Sequence, residues 1–330
     1  MKKSLEKLFE HKTLSREEAK SILVRIAAGE GNETQIAAFM TVYLMRTVTP
    51  EELSGFREAL LELCKPVSLH SENAIDLCGT GGDGKNTFNI STLASFIVAG
   101  AGGKVIKHGN YGVSSVSGSS NVLEHFGYKF SDDNSKLEKS LEKCGVCFLH
   151  APLFHPALKR VAPIRRDLGM KTFFNMLGPL VNPAQPKHRV TGVFSLALAR
   201  SYQYLIQPTN EKYVILHSLD GYDELSLTNS AKIISNSGEK IMSPEHFGFA
   251  KLQPLEILGG TTVKEAATIF MDVLSNRGTQ AQENVVIANA ALALQCLGLQ
   301  ENLQNAVSAA NESLKSGKAL KMFNSLLELN

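Results

Sequence analysis

The sequence predicts an α/β protein in which a small all-helical N-terminal domain joins a larger α/β domain with a central, mostly parallel sheet flanked by helices. Three observations carry that reading. Residues 1–68 show only helical periodicity. From residue 74 short apolar runs alternate with helical stretches. The first of those runs opens into a glycine-rich turn and then a helix, the order of a β-loop-α-β unit.

Within 1–68, Ser15 and Glu18 have capping-box spacing ahead of apolar Ala19, Ile22, Leu23 and Ile26, and Gly29 and Gly31 close that helix. Asn32 and Thr34 introduce a second helix over 36–45, apolar almost all round. Thr49, Pro50 and Glu52 open a third with a cap, a first-turn proline and an acidic return partner. Three short helices cannot bury this much apolar surface alone, so Ala37, Phe39, Met40 and Tyr43 are expected to face other helices or another subunit. A strand over 74–78, the glycine turn, a helix over 89–99 and a strand over 104–107 follow. Apolar runs at 146–149, 189–193 and 213–217, separated by helical stretches, extend a largely parallel sheet. A basic, proline-containing helical stretch over 155–185 interrupts the alternation, and 261–297 is helical and alanine-rich.

At 330 residues, 43% hydrophobic and 20% charged, the chain can bury one large core or two smaller ones. Its 34 Lys and Arg against 32 Asp and Glu leave no field that demands nucleic acid or an anionic membrane, so any anion must be bound locally. Met1 to Lys7 lacks an apolar leader core, and no run approaches the roughly 18 apolar residues of a membrane span, so a soluble, cytoplasmic protein is expected. Five scattered cysteines suit reduced thiols. Cys144 and Cys147 form a lone C-x-x-C without a second pair for zinc, and an inert structural role is favoured over a redox one.

Gly79-Thr80-Gly81-Gly82-Asp83-Gly84 sits where backbone amides and a helix N-terminus converge, which makes it an anion site. It satisfies the dinucleotide pattern literally, but that pattern needs an acid about 20 positions on. Here the next strand ends in Lys107-His108-Gly109-Asn110, and a cation suits a second phosphate instead. Asn86 to Thr92 places Asn89, Ser91 and Thr92 around the first helical turn, able to cap amides or reach a phosphate or its metal. A second polar loop runs from Lys107 through Ser114, Ser115, Ser117 and Ser119. Asp223 and Glu224 follow another strand; adjacent carboxylates are a solvated turn or, beside phosphate loops, a magnesium site. Arg165 and Arg166 form a carboxylate clamp or a solvated helix face. His108, His150 and His155 lack metal-ligand spacing and read as packing or hydrogen-bonded histidines.

Together these segments resemble the anthranilate phosphoribosyltransferase family, within the nucleoside phosphorylase and phosphoribosyltransferase superfamily. The matching stretches are Asp76 to Gly84 with Asn86 to Thr92, then Lys107 to Asn110 with Val113 to Ser115 and Ser117 to Ser119. Ala162 to Gly169 leading into Thr172 to Ala184, and Asp220 to Glu224, complete them in family order. The resemblance implies a helical domain at 1–68, with helices from about 155–185 packing on it, and an α/β domain at 69–330. It implies transfer of the phosphoribosyl group of phosphoribosyl pyrophosphate to the amine of anthranilate, in the tryptophan pathway, with no covalent intermediate and with positioning and electrostatics led by Arg165 and Lys107. The donor would lie on Gly79, Gly82, Asp83, Thr87, Asn89, Ile90, Ser91, Thr92, Lys107, His108, Gly109, Asn110, Ser114, Ser115 and Ser119. Anthranilate would meet Gly79, Asn110 and Arg165, and Ser91, Asp223 and Glu224 would hold Mg2+, two ions per monomer. A homodimer through the helical domain is the family expectation. Tyr111, Val116 and Asn121 depart from the family's frequent arginine, lysine and aspartate, and the first two lower positive charge near the donor. Two other readings, a pyrimidine nucleoside phosphorylase and a non-enzymatic nucleic-acid-binding relative, predict respectively an extra C-terminal domain and a degraded glycine loop with a basic stripe; the sequence has neither.

Overall fold

A computed structural model describes residues 1–70, 73–112 and 115–329. Its first four helices are α1 (Lys2–Phe9), α2 (Arg16–Ala27), α3 (Glu33–Met45) and α4 (Pro50–Leu63). Complete capping boxes open the last three, at Ser15 with Glu18, Asn32 with Gln35 and Thr49 with Glu52. Helix α1 is an addition to the sequence reading, which had three helices here; it is Lys- and Glu-rich and buries only Leu5 and Leu8.

The chain continues through β1 (Ala74–Leu77), α5 (Ile90–Gly100), β2 (Lys104–Gly109), α6 (Ser119–His125), α7 (Asn134–Cys144), β3 (Val146–His150), α8 (Ala151–Phe154) and α9 (Val161–Leu168). Then come β4 (His188–Gly192), α10 (Leu196–Ile206), β5 (Lys212–Ser218), β6 (Ala231–Ser235), β7 (Gly238–Met242), α11 (Val263–Leu274), α12 (Gln280–Cys296), α13 (Leu303–Lys315) and α14 (Lys318–Glu328). The sheet order is β3-β2-β1-β4-β5-β6-β7. The first five strands pair in parallel and the β6–β7 hairpin adds two antiparallel strands. From β1 the chain moves outward to β2 and β3, then returns to β4 on the other side. Carboxyl-end loops therefore diverge between β1 and β4, where open α/β sheets bind ligands.

Strand alternation divides the interior into faces. Ile75, Leu77, Val105, Val214 and Leu216 pack with α5, α11, α12, α13 and α14 in one core. Tyr213 and Ile215 point the other way, into a core shared by α10, the four N-terminal helices and residues 161–181. There Phe39, Tyr43, Phe56 and Phe173 meet with ring centroids 4.5–6.0 Å apart. Phe39 and Phe56 are fully buried, each contributing about 2–3 kcal/mol by area. The apolar excess of the second predicted helix is thus satisfied largely within the chain, by α4 and the segment after α9.

Cys144 and Cys147 are free, buried thiols, and burial raises both, with Cys144 at about 11, so they stay protonated packing groups. Among the described residues no helix is long and apolar enough to cross a membrane.

Candidate active site

One cavity of about 240 Å³ opens at the carboxyl ends of β1 and β2, and the donor, acceptor and metal residues implied by the resemblance line it, with two exceptions. Ile90 has its side chain in the core and its N–H donated to Phe88 O at 2.7 Å. Ser114, with Val113, lies outside the described residues.

At one end stands the glycine loop. Gly79 is required there by crowding, because a Cβ would fall 2.5 Å from Asp223 Oδ2. That carboxylate accepts from the Gly81 N–H at 2.6 Å, and the Asp223 N–H donates to Asp83 Oδ2 at 3.4 Å. Glu224 reaches the start of α5, where its Oε1 accepts from the Ser91 N–H at 3.0 Å. No side chain of α5's own N-cap residue does this work, so a carboxylate from the loop after β5 caps the helix and meets its dipole. Burial, repulsion from Glu224 and repulsion from Asp83 push the Asp223 carboxyl up; burial raises Glu224 to about 7. Such a carboxylate group favours a cation. Among the described residues no three His, Cys, Asp or Glu side chains are placed to cage a metal by themselves. The residues therefore fit an ion that takes its remaining ligands from phosphate and water, the habit of magnesium.

Lys107 is buried beside this group and donates to Leu77 O and, at 3.3 Å, to Ser91 Oγ. Asn89 Nδ2 donates to Ser117 O at 3.0 Å and joins the first loop to the second, while its buried Oδ1 has no partner. In the second loop Asn121 Oδ1 accepts from the Gly112 and Gly118 N–H groups, both at 2.9 Å. A Cβ on Gly118 would sit 2.3 Å from Gly112 N, so this crossing needs glycine. Tyr111 turns away to donate to Glu124 at 2.6 Å, and Val116 is exposed.

The other end is apolar. Phe174, Leu177, Pro179 and Val181 line it with His108, His155 and Arg165. Burial lowers His108 to about 4 and His155 to about 3, so both rings are neutral at pH 7. Their centroids lie 5.2 Å apart. Arg165 stands 5.4 Å over the Phe174 ring and donates to Asn175 Oδ1 at 3.3 Å. Burial disfavours its charge, yet among the described residues no carboxylate pairs with it. Arg166, the other half of the predicted clamp, does not line the cavity.

Sequence reasoning passed over Lys171, which donates to Gly82 O at 2.5 Å, and gave His155 only a packing or hydrogen-bonding role. Neither carries a local motif; His155 lines the cavity and Lys171 holds the glycine loop only through the tertiary fold.

The cavity thus joins an anion-binding, cation-seeking end to an apolar end holding one unpaired guanidinium. Residues 2–64 match the model described as "Glycosyl transferase family, helical bundle domain", and 71–320 match "Glycosyl transferase family, a/b domain". A protein named anthranilate phosphoribosyltransferase from Flavobacterium psychrophilum is 58% identical over 330 residues, covering 100% of both chains. The chain belongs to the anthranilate phosphoribosyltransferase family. Its fold matches that family's enzyme from Thermus thermophilus at a TM-score of 0.91 and 30% identity, over 98% of each chain. The family member from Saccharomyces cerevisiae, solved in complex with PRPP and Mg, matches at 0.90 and 27% identity, over 98% of this chain and 96% of that one.

Proposed function

We propose that this chain transfers the phosphoribosyl group of phosphoribosyl pyrophosphate to the amine of anthranilate, giving N-(5-phosphoribosyl)anthranilate and pyrophosphate, the second step of tryptophan biosynthesis from chorismate. The observation that carries this reading within the family is Arg165, a half-buried guanidinium without a carboxylate, set over an aromatic ring at the apolar end of a phosphate-type cavity. An aromatic carboxylate satisfies both halves of that end.

In the reaction the C1–O bond to pyrophosphate breaks, the C1–N bond forms, and the amine gives up a proton. Arg165 takes the anthranilate carboxylate, and Asn110 with the Gly79 backbone aligns its amine. This nitrogen is a weak base, neutral at pH 7, so in-line holding replaces a strong general base. The neutral rings of His108 and His155 leave the arginine as the cation that faces the acceptor. Across the cavity the amides of the Gly79–Gly84 loop, Asn89, Thr87, Thr92, Ser115 and Ser119 hold the donor, and Lys107 adds positive charge beneath the departing oxygens. Ser91, Asp223 and Glu224, with Asp83 beside them, would hold Mg2+, two ions per monomer. Bound there, magnesium neutralises charge on the leaving pyrophosphate.

A homodimer through the helical domain belongs to the same reading. Its support is no longer Phe39 and Met40, which are buried, but Met45 and Leu44 at the exposed end of α3. A cytoplasmic location fits five free thiols. Purified protein given Mg2+ and phosphoribosyl pyrophosphate should consume anthranilate, followed by loss of its fluorescence. An unchanged signal at high enzyme concentration would sink the proposal.

A further inference from the structure

The apolar wall of the cavity, 177–182, is irregular backbone. A 3₁₀ turn at Gly178–Leu180 holds Pro179, Pro183 follows the segment, and neither proline has an N–H to donate. Within it only the Leu180 N–H to Leu177 O bond at 2.9 Å and the Val181 N–H to Gly178 O bond at 3.4 Å are its own. It is gripped at successive residues by side chains of different elements, most of them outside the cavity.

His108 Nδ1 on β2 lies 3.0 Å from Gly178 O. Arg189 on β4 donates from Nη1 to Pro179 O at 3.0 Å, and Arg57 on α4 donates from Nε to Leu180 O at 3.2 Å. Glu211 stands between those two arginines, ion-paired with Arg189 and 3.6 Å from Arg57 Nη2. Asn182 Nδ2 donates to Asp76 Oδ2 on β1 and to Ile106 O, both at 2.9 Å. The same Asp76 accepts the His108 N–H on its other oxygen at 3.1 Å. Buried ionic groups of this kind are costly to desolvate, and losing one partner leaves the other charge unpaired. Here the geometry they define is that of a wall lining the same cavity end as Arg165.

We infer that Asp76, Arg57 and Arg189, with Glu211 orienting the two arginines, are positioning residues for the acceptor. They set the wall of Leu177, Pro179 and Val181 against which the aromatic ring seats, and so fix the distance from its amine to the donor carbon. None of the four lines the cavity itself, so each acts on the ring through that wall. The inference rests on the proposed function.

The test is steady-state kinetics in both substrates with Arg57→Met and Asn182→Ala, beside Arg57→Lys, which keeps a donor near Leu180 O and a charge for Glu211. Both disruptive variants should raise the anthranilate KM about tenfold while the donor KM stays within about twofold. Arg57→Lys should return most of the loss. Arg57 is the milder site because it lies at the boundary of the helical domain, and it keeps the test alive if Asn182→Ala fails to fold. Variants that lose only thermal stability, or whose two KM values rise together, overturn the inference. A wild-type protein inert toward anthranilate removes the proposed function instead, and this inference with it.

Discussion

Acidification should destabilise this protein through two buried histidines whose rings are neutral at pH 7. Burial lowers His108 from 6.5 to about 4, against the pull of the Gly178 carbonyl, and burial with repulsion from His108 takes His155 to about 3. Below pH 6.5 the unfolded chain therefore holds more protons than the folded one. The stability from these rings is fully present above pH 6.5 and drains as pH falls toward 4 and then 3. At pH 5 each ring has forfeited about 2 kcal/mol, roughly 4 kcal/mol together. With a few degrees per kcal/mol, the thermal midpoint should drop on the order of 8 °C between pH 7.5 and 5 from this source. Glu224, raised to about 7, has the opposite sign, so the absolute profile mixes causes. The clean measurement is a difference. His155→Gln, which cannot titrate, should show about half the histidine-linked acid loss of wild type in the same buffers. Parallel pH profiles for the two proteins would refute the reasoning.

Four further outcomes follow from the site. Arg165→Ala should raise the anthranilate KM about 30- to 100-fold and leave the donor KM nearly unchanged, the loss of a charge-assisted pair of hydrogen bonds; an unaltered anthranilate KM would remove Arg165 from the acceptor site. Asp223→Asn combined with Glu224→Gln should abolish turnover at ordinary magnesium while circular dichroism stays native, and chelation of wild type should do the same reversibly. Gly79→Ala, whose Cβ would fall 2.5 Å from Asp223 Oδ2, should displace that carboxylate and cost about 100-fold in kcat with the fold intact. Asn121→Ala, which strips two N–H groups of their acceptor, should raise the donor KM about tenfold more than the anthranilate KM, measured in the same assays.

The parts of the site legible in sequence are those whose chemistry is local. The Gly79–Gly84 turn, Lys107 to Asn110 and the Asp223–Glu224 pair each compress a backbone shape and a charge into a few residues, and a parallel strand pattern places them at one edge. The wall clamp was not legible, because Asp76 meets Asn182 across 106 positions and Arg57 meets Leu180 across 123. Among the elements, β7 escaped because its Gly238 to Lys240 are exposed on an edge strand and show no apolar alternation. Helix α1 escaped because two leucines among lysines and glutamates make a weak stripe. Arg165 was ambiguous between a solvated face and a clamp until the fold buried it without a carboxylate partner.

Near its carboxyl end strand β2 carries two consecutive side chains that look in opposite directions. Lys107 lies beneath the carboxylates and Ser91, and His108 lies against Gly178 and His155. Adjacent codons therefore send an ammonium toward the carboxylate end of the cavity and an imidazole toward its apolar end. A one-residue insertion before Lys107 would exchange them, turning an ammonium into the ring pocket and an imidazole toward the phosphates, whereas a two-residue insertion would preserve their sides. Under the proposed function, a substitution at His108 that spares Lys107 would alter the apolar end of the cavity and leave the lysine beside Ser91 in place.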